Sequence, residues 1–278
     1  MSKILIFGAG WLGYKFRDYL NAKISLVDIT NKKSVENELD LHKPVIVINT
    51  AGKTGRPNID WCEEHKIETV NSNITGALVL LKACLDRGIY LVHLSSGCIF
   101  TGESPSKNGF TEDDAPNPVS FYSWSKAKAD EILEKFPTLI LRIRMPIDKE
   151  PNPRNLITKL ASYPMVIDVE NSITIVDDLL LTTKEIIDRR KTGIYNVVNP
   201  VPIKHREIME MYKQIVNLNH GYTLISPEQL ITKGLAKARR SNCILSIKKL
   251  EKEGINLQTS YEGIKKCMIA YKEQLKKM

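Results

Sequence analysis

The chain has 278 residues and a net charge of +8, a length that suits one or two domains with a sizeable core. Only 15 Gly and 13 Pro beside 42% hydrophobic residues exclude collagen-like, low-complexity and disordered classes. No apolar run nears the roughly 20 residues of a bilayer span, and MSKILIFGAG is too short for a signal peptide, so a soluble cytoplasmic protein is expected.

Lys3 to Phe7 is a continuous apolar run ending in glycine, as a buried parallel strand does. Gly8-Ala9-Gly10-Trp11-Leu12-Gly13 follows, and helical spacing continues to Leu20. Ile24 to Val27 predicts a second strand ending at Asp28, and Val45 to Ile48 a third ending at Asn49. Apolar residues at 3.6 spacing predict one helix from about 67 to 87, before a fourth strand over 90–94. Helix 123–135, strand 139–143, helix 177–189 and strand 194–198 complete the alternation, and helices follow over about 204–216, 227–236, 246–253 and 260–275. Regular alternation implies an α/β doubly wound parallel sheet carrying a smaller, mainly helical C-terminal substrate domain. The expected division is 1–145 with about 172–200 for the dinucleotide domain, and about 146–171 with 201–278 for the other. A cleft between them, at the carboxyl ends of the strands, is the expected site.

The glycines at 8, 10 and 13 sit between strand and helix, where they permit a tight turn and bring a pyrophosphate to the helix N-terminus. Trp11 and Leu12 belong to the same turn. Asp28, 20 residues after Gly8, stands where an acid can bond the adenosine ribose, whereas Lys32 and Lys33 can hold a 2′-phosphate; Asp28 as a plain helix cap is the competing reading. The cofactor is therefore NAD(P)H, with NADPH taken ahead of NADH. Tyr122-Ser123-Trp124-Ser125-Lys126 places Tyr122 and Lys126 on one helical face, where an ammonium can favour the phenolate. Ser95-Ser96, just after the fourth strand, supplies a hydroxyl, taken as Ser96.

With these three elements the sequence resembles the extended short-chain dehydrogenase/reductases, and more narrowly the bifunctional nucleotide-rhamnose synthases, or 3,5-epimerase/4-reductases, related to dTDP-4-dehydrorhamnose reductase. The stretches that carry it are AGKTGRPNIDWCE over 51–63, GCIF over 97–100, SFYS over 120–123, LRIRMPI over 141–147, NPRNLITK over 152–159 and RRSN over 239–242. The resemblance implies epimerisation at C3 and C5 of a UDP- or dTDP-linked 4-keto-6-deoxyglucose, then reduction at C4. It places the reductase machinery on Ser96, Tyr122 and Lys126, and the epimerase acid and base on Cys98 and Lys159. Asn49, Ala51 and Lys53 should line the cofactor, Pro146 its nicotinamide side, and Asn155 and Arg240 the nucleotide sugar. Glu103 to Asn108 is shorter than the loop of plant relatives, which leaves a 2-acetamido sugar open. A non-catalytic NAD(P)-binding regulatory subunit is the reading from another class.

The charge surplus lies wholly beyond residue 200, where 15 basic side chains meet 7 acidic ones. Such a segment suits a polyanion; a nucleotide diphosphate fits, whereas no nucleic-acid motif is present and no membrane partner is indicated. A homodimer is left open. The five cysteines form no C-x-x-C pair and the five histidines show no ligand spacing, so neither disulfides nor a metal are expected. Met209 and Met211 fall in a core pattern.

Overall fold

The computed structural model describes residues 4–277. In chain order the first elements are β1 (Ile4–Phe7), α1 (Trp11–Leu20), β2 (Lys23–Ser25), α2 (Lys32–His42), β3 (Ile46–Asn49), α3 (Asp60–Glu64), α4 (Lys66–Val70), α5 (Gly76–Leu85), β4 (Tyr90–Ser96), α6 (Phe121–Leu133) and β5 (Leu139–Ile143). Then come β6 (Pro146–Ile147), α7 (Leu156–Ser162), β7 (Met165–Ile167), β8 (Glu170–Asn171), β9 (Thr174–Ile175), α8 (Val176–Asp188) and β10 (Gly193–Asn196). The chain ends with β11 (Ile203–Lys204), α9 (His205–Ile215), β12 (Thr223–Ile225), α10 (Pro227–Thr232), α11 (Lys248–Lys252) and α12 (Ser260–Leu275).

Two compact units form. The first takes the chain to Ile99, Pro116–Arg142 and Thr183–Tyr195; the second takes Phe100–Ala115, Ile143–Thr182 and Asn196 onward. The first unit is built on a six-stranded sheet in the order β10-β5-β4-β3-β1-β2, whose β1–β2, β1–β3 and β3–β4 ladders are parallel. The chain order reverses between β1 and β3, so the glycine turn after β1 lies at the switch point where open α/β sheets bind ligands. Leu5, Phe7, Val47, Leu91 and Ile140 of the sheet pack with Leu80 and Cys84 of α5 and Ala129 and Leu133 of α6. The register sets Asn49 between Phe7 and His93 on neighbouring strands.

The second unit has its own core, with Ile147, Ile157, Ile173, Ile208, Met209, Met211, Ile264 and Met268. The residues 100–115, assigned above to the first domain, group with this unit instead. Phe110 bridges to Leu245, its N–H bonds Ile244 O at 2.8 Å and Gly102 N–H bonds Asn242 O at 2.8 Å, and the Phe100 and Phe110 rings stack at 4.5 Å. These are long-range pairings that no local pattern announces.

The helix expected over 67–87 is interrupted. A single wide π turn, Asn71–Thr75, separates α4 from α5. The C-terminal helices α10 and α11 are shorter than their expected spans. Among the described residues no helix is long and apolar enough to cross a membrane.

Candidate active site

The glycine turn separates two jobs. Gly8 has φ +105, and a Cβ there would collide with the Ala51 backbone; a Cβ on Gly13 would strike Gly8 O. Both glycines are thus demanded by the chain's own packing. Gly10 is different: its φ of −101 suits any residue and a Cβ there meets nothing within 4 Å. Only a ligand that approaches the backbone would be obstructed by a side chain at that point. Gly10 is also the N-cap of the ten-residue α1 and offers no side-chain bond to the first N–H groups, leaving donors and helix dipole available to a pyrophosphate. Thr50 ties the turn to β3 through bonds from its hydroxyl to Gly8 O at 2.8 Å and Phe7 O at 3.1 Å. Trp11 and Leu12 are half-buried on the first turn of α1.

Asp28 follows β2. Its Oδ1 accepts the Thr30 N–H at 2.9 Å and the Thr30 hydroxyl at 2.8 Å, and these bonds, with Lys53 nearby, hold the carboxyl below its usual range. The cap of α2 is Asn31, which accepts the Ser34 N–H at 3.0 Å. Asp28 is therefore an exposed, pre-oriented anion rather than the cap. Lys32 stands 3.8 Å from Glu36 on the exposed face of α2.

Past β3, Lys53 N–H bonds Asn73 Oδ1 at 2.7 Å, while Asn73 Nδ2 donates to Lys53 O at 3.0 Å and to Ser125 Oγ at 2.9 Å. Asn73 lies in the π turn, whose extra residue turns this buried amide inward to join three segments. Ala51 is half-buried. Asn49, expected to line the cofactor, is 0% exposed and spends its amide on Ala51 N–H at 3.0 Å and the His93 ring at 3.1 Å; it braces the loop from below.

Tyr122 and Lys126 fall on α6, started by Ser120, which accepts the Ser123 N–H at 3.2 Å, and by Glu63, which accepts the Phe121 N–H at 2.7 Å. Both side chains are buried. Burial pushes the Tyr122 phenol above its ordinary value; the Cys98 sulfur adds to this, and a hydrogen bond with Ser96 opposes it. The expectation of a phenolate favoured by Lys126 is thus corrected for the protein alone, because burial dominates. Lys126 is pulled from 10.5 down to about 8 by burial, with Asp130 acting the other way. Cys98 N–H donates to Ser96 Oγ at 3.1 Å, so the short 3₁₀ turn Gly97–Ile99 brings Ser96, Cys98 and Tyr122 together at the end of β4.

In the second unit, Asn155 departs from its expected role as a ligand. It is 0% exposed and caps α7 by accepting the Ile157 N–H at 3.1 Å, while donating to Asp148 O at 2.7 Å and Glu150 O at 2.9 Å. Its amide is consumed by the loop. Lys159 is half-buried on the same helix. Pro146 opens β6 and pairs with Thr174. Arg240 is half-buried and donates to Ala238 O at 3.1 Å. Beside it, Ser241 receives the guanidinium of Arg144, which is 1% exposed: Nη1 bonds Ser241 Oγ at 3.0 Å, and Nη2 bonds Ser241 O at 2.6 Å and Asn171 Oδ1.

Sequence reading missed Asn73, His93 and Arg144. Asn-Ser-Asn within a helical run, and a lone histidine in an apolar strand, were available signals. Nothing local marks Arg144, whose partners lie 27 and 97 positions away.

A Rossmann sheet, a glycine turn shaped for a dinucleotide and a Ser-Tyr-Lys set at the end of β4 define an extended short-chain dehydrogenase/reductase. Residues 2–273 match the family described as RmlD substrate binding domain, and the chain belongs to that family. It is 40% identical over 246 residues, 85% of this chain and 80% of the relative, to a bifunctional dTDP-4-dehydrorhamnose 3,5-epimerase/reductase of Arabidopsis thaliana. It is 38% identical to a trifunctional UDP-glucose 4,6-dehydratase/epimerase/reductase of the same plant, spanning 97% of this chain but only 41% of that larger protein. The crystal structure of the UDP-rhamnose synthase from Acanthamoeba polyphaga mimivirus superposes with a TM-score of 0.90 at 33% identity, covering 96% of this chain and 98% of that one. A dTDP-4-dehydrorhamnose reductase from Bacillus anthracis, solved with NADP, shares the fold with a TM-score of 0.82 at 22% identity.

Proposed function

We propose that the chain is an NAD(P)H-dependent 3,5-epimerase/4-reductase that converts a UDP- or dTDP-linked 4-keto-6-deoxy-D-glucose to the L-rhamnose nucleotide. The observation that carries this reading is the grouping of Ser96, Cys98 and Tyr122 at the end of β4, in the same unit as the glycine turn. The names of the Arabidopsis and mimivirus relatives support the substrate class.

Gly8, Gly10, Trp11, Leu12 and Gly13 would hold the cofactor's diphosphate, Asp28 and Lys53 its adenosine end, and Ala51, Lys126 and Pro146 the rest. When bound, the reduced nicotinamide supplies a hydride. A C4 ketone acidifies the hydrogens on C3 and C5, so inversion requires a base that takes a proton from one face and an acid that returns one to the other. Cys98 and Lys159 are the proton-transfer groups in this scheme. Ser96 and Tyr122 hydrogen-bond the enolate oxygen while charge resides there. In the reduction, Tyr122 Oη gives its proton to the C4 oxygen. The raised phenol suits that task, since the hydroxyl stays protonated at neutral pH. Arg240 is the cation for the nucleotide diphosphate, where a guanidinium can bind two oxygens.

The test is a split of the two chemistries. Cys98→Ala should abolish solvent deuterium incorporation at the epimerised carbons yet still reduce a pre-epimerised 4-keto substrate. Equal loss of both would remove Cys98 from the proton transfers.

A further inference from the structure

The stretch AGKTGRPNIDWCE ends on an acid to which the chemistry above gives no task. Glu63 is half-buried on the short helix α3, and its Oε1 accepts the Phe121 N–H at 2.7 Å across 58 positions of sequence. Phe121 is the first residue of α6 and directly precedes Tyr122.

The first N–H groups of a helix find no partner inside it. In α6 the Ser120 hydroxyl serves the Ser123 N–H at 3.2 Å. Three residues beyond this cap stands Ser123, not a Glu or Gln that could close a capping box, and the Phe121 amide is met instead by a side chain from another element. The Phe121 ring is gripped as well, with Lys66 Nζ 5.4 Å from its centroid and the Trp124 ring 5.1 Å away. The corner that carries Glu63 is itself braced. Trp61 and His65 stack at 4.0 Å, His65 Nδ1 lies 2.9 Å from Trp61 O, and Cys62 between them is 0% exposed.

Lys126 is anchored differently. One turn further into α6, its ammonium donates to Leu94 O at 2.9 Å. Helix ends fray before helix interiors, so a loosened first turn displaces Tyr122 and leaves Lys126 in place.

We propose that Glu63 is a positioning residue for C4 reduction: through the Phe121 amide it fixes the first turn of α6, and with it the place of Tyr122 Oη against the C4 oxygen. This rests on the reductase reading above. What the amide requires is an acceptor oxygen at the right reach, which a side-chain carbonyl supplies as well as a carboxylate.

Three replacements in the full chain separate the bond from the charge. The measurement is steady-state kinetics with NADPH and a pre-epimerised UDP- or dTDP-linked 4-keto-6-deoxy sugar. Glu63→Ala deletes the acceptor and should lower kcat about 10- to 100-fold, with the KM for NADPH within about twofold of wild type. Glu63→Asp keeps the charge but falls one methylene short, and should resemble Glu63→Ala. Glu63→Gln keeps a carbonyl oxygen at the same reach and should hold kcat within about threefold of wild type. Hydrogen exchange at the Phe121 amide should quicken in the Ala and Asp variants and not in Gln. An unchanged kcat in Glu63→Ala, or a loss in Glu63→Gln as deep as in Glu63→Asp, would overturn the proposal. Should Glu63→Ala fail to fold, the order of Asp and Gln decides. A wild-type protein that reduces no 4-keto sugar overturns the reductase reading instead, and exchange at Phe121 then still shows whether Glu63 holds the turn.

Discussion

The two units assign fold and function to side chains in opposite ways. In the first, the two sets are separable: Gly8 and Gly13 exist for the turn, Gly10 for whatever approaches it, and the residues split within six positions of sequence. In the second, Arg240, proposed for the diphosphate, adjoins a serine gripped by the buried Arg144, and that arginine also fastens β8 through Asn171. There a residue that supports the site supports the unit as well. Where register places functional groups, as on β1, β4 and α6, substitution can remove function and spare the fold. Where distant side-chain bonds place them, it cannot.

The largest effect that sharpens this contrast belongs to Tyr122→Phe, which should lower C4 reduction by about 10²- to 10⁴-fold, the usual worth of a positioned proton donor, with Tm unchanged within a few degrees. Stopped-flow NADPH oxidation beside a melting curve checks both halves. The glycines divide in the same fashion. Gly8→Ala, forced to positive φ against the Ala51 backbone, should cost about 3 kcal/mol or more, whereas Gly10→Ala should melt like the wild type and bind NADPH at least about tenfold more weakly by calorimetry.

In the second unit the halves should not come apart. Arg144→Leu removes the guanidinium bonds to Ser241 and Asn171 and should lose about 2–4 kcal/mol in urea unfolding, with a raised KM for the nucleotide sugar as the 239–242 segment loosens. A variant with normal stability and raised KM would break the comparison. A smaller effect is expected of Asn155→Ala: about 1 kcal/mol from the lost cap of α7, with KM unaffected, which separates a bracket from a ligand.

Acid should act through the buried histidines. His205, whose ring bonds Ile167 O at 3.2 Å, is pushed down from 6.5 to about 4 by burial, with Arg144 adding to it, and burial holds His93 low as well. Unfolded imidazoles take up protons first as the pH falls, so stability from these groups is intact above 6.5 and declines from 6.5 toward 4. The urea midpoint should track that window, and His205→Gln should flatten it.

Much of the first unit was readable because parallel strands and glycine turns carry local patterns: β5 occurs at its expected residues, and Tyr122 and Lys126 lie on one buried face of α6. Two features escaped. The π turn at 71–75 is invisible to a 3.6 period, although Asn73 inside it joins the loop of Lys53 to α6. The protonation of Tyr122 depends on burial, and spacing alone suggested the reverse. In the second unit, residues 100–115 are set by pairings with the 242–245 segment and the Arg144 contacts by partners 27 and 97 positions away, for which sequence offers no local signal.

The central claim is that one active site both epimerises and reduces a nucleotide 4-keto-6-deoxyhexose. Purified protein incubated with UDP- or dTDP-4-keto-6-deoxyglucose and NADPH in deuterated water answers it by mass and NMR analysis of the product. The account predicts NADPH oxidation and a nucleotide L-rhamnose with solvent deuterium at C3 and C5. A reduced sugar of unchanged configuration without deuterium would contradict the epimerase half, and no cofactor oxidation with either nucleotide would contradict the whole.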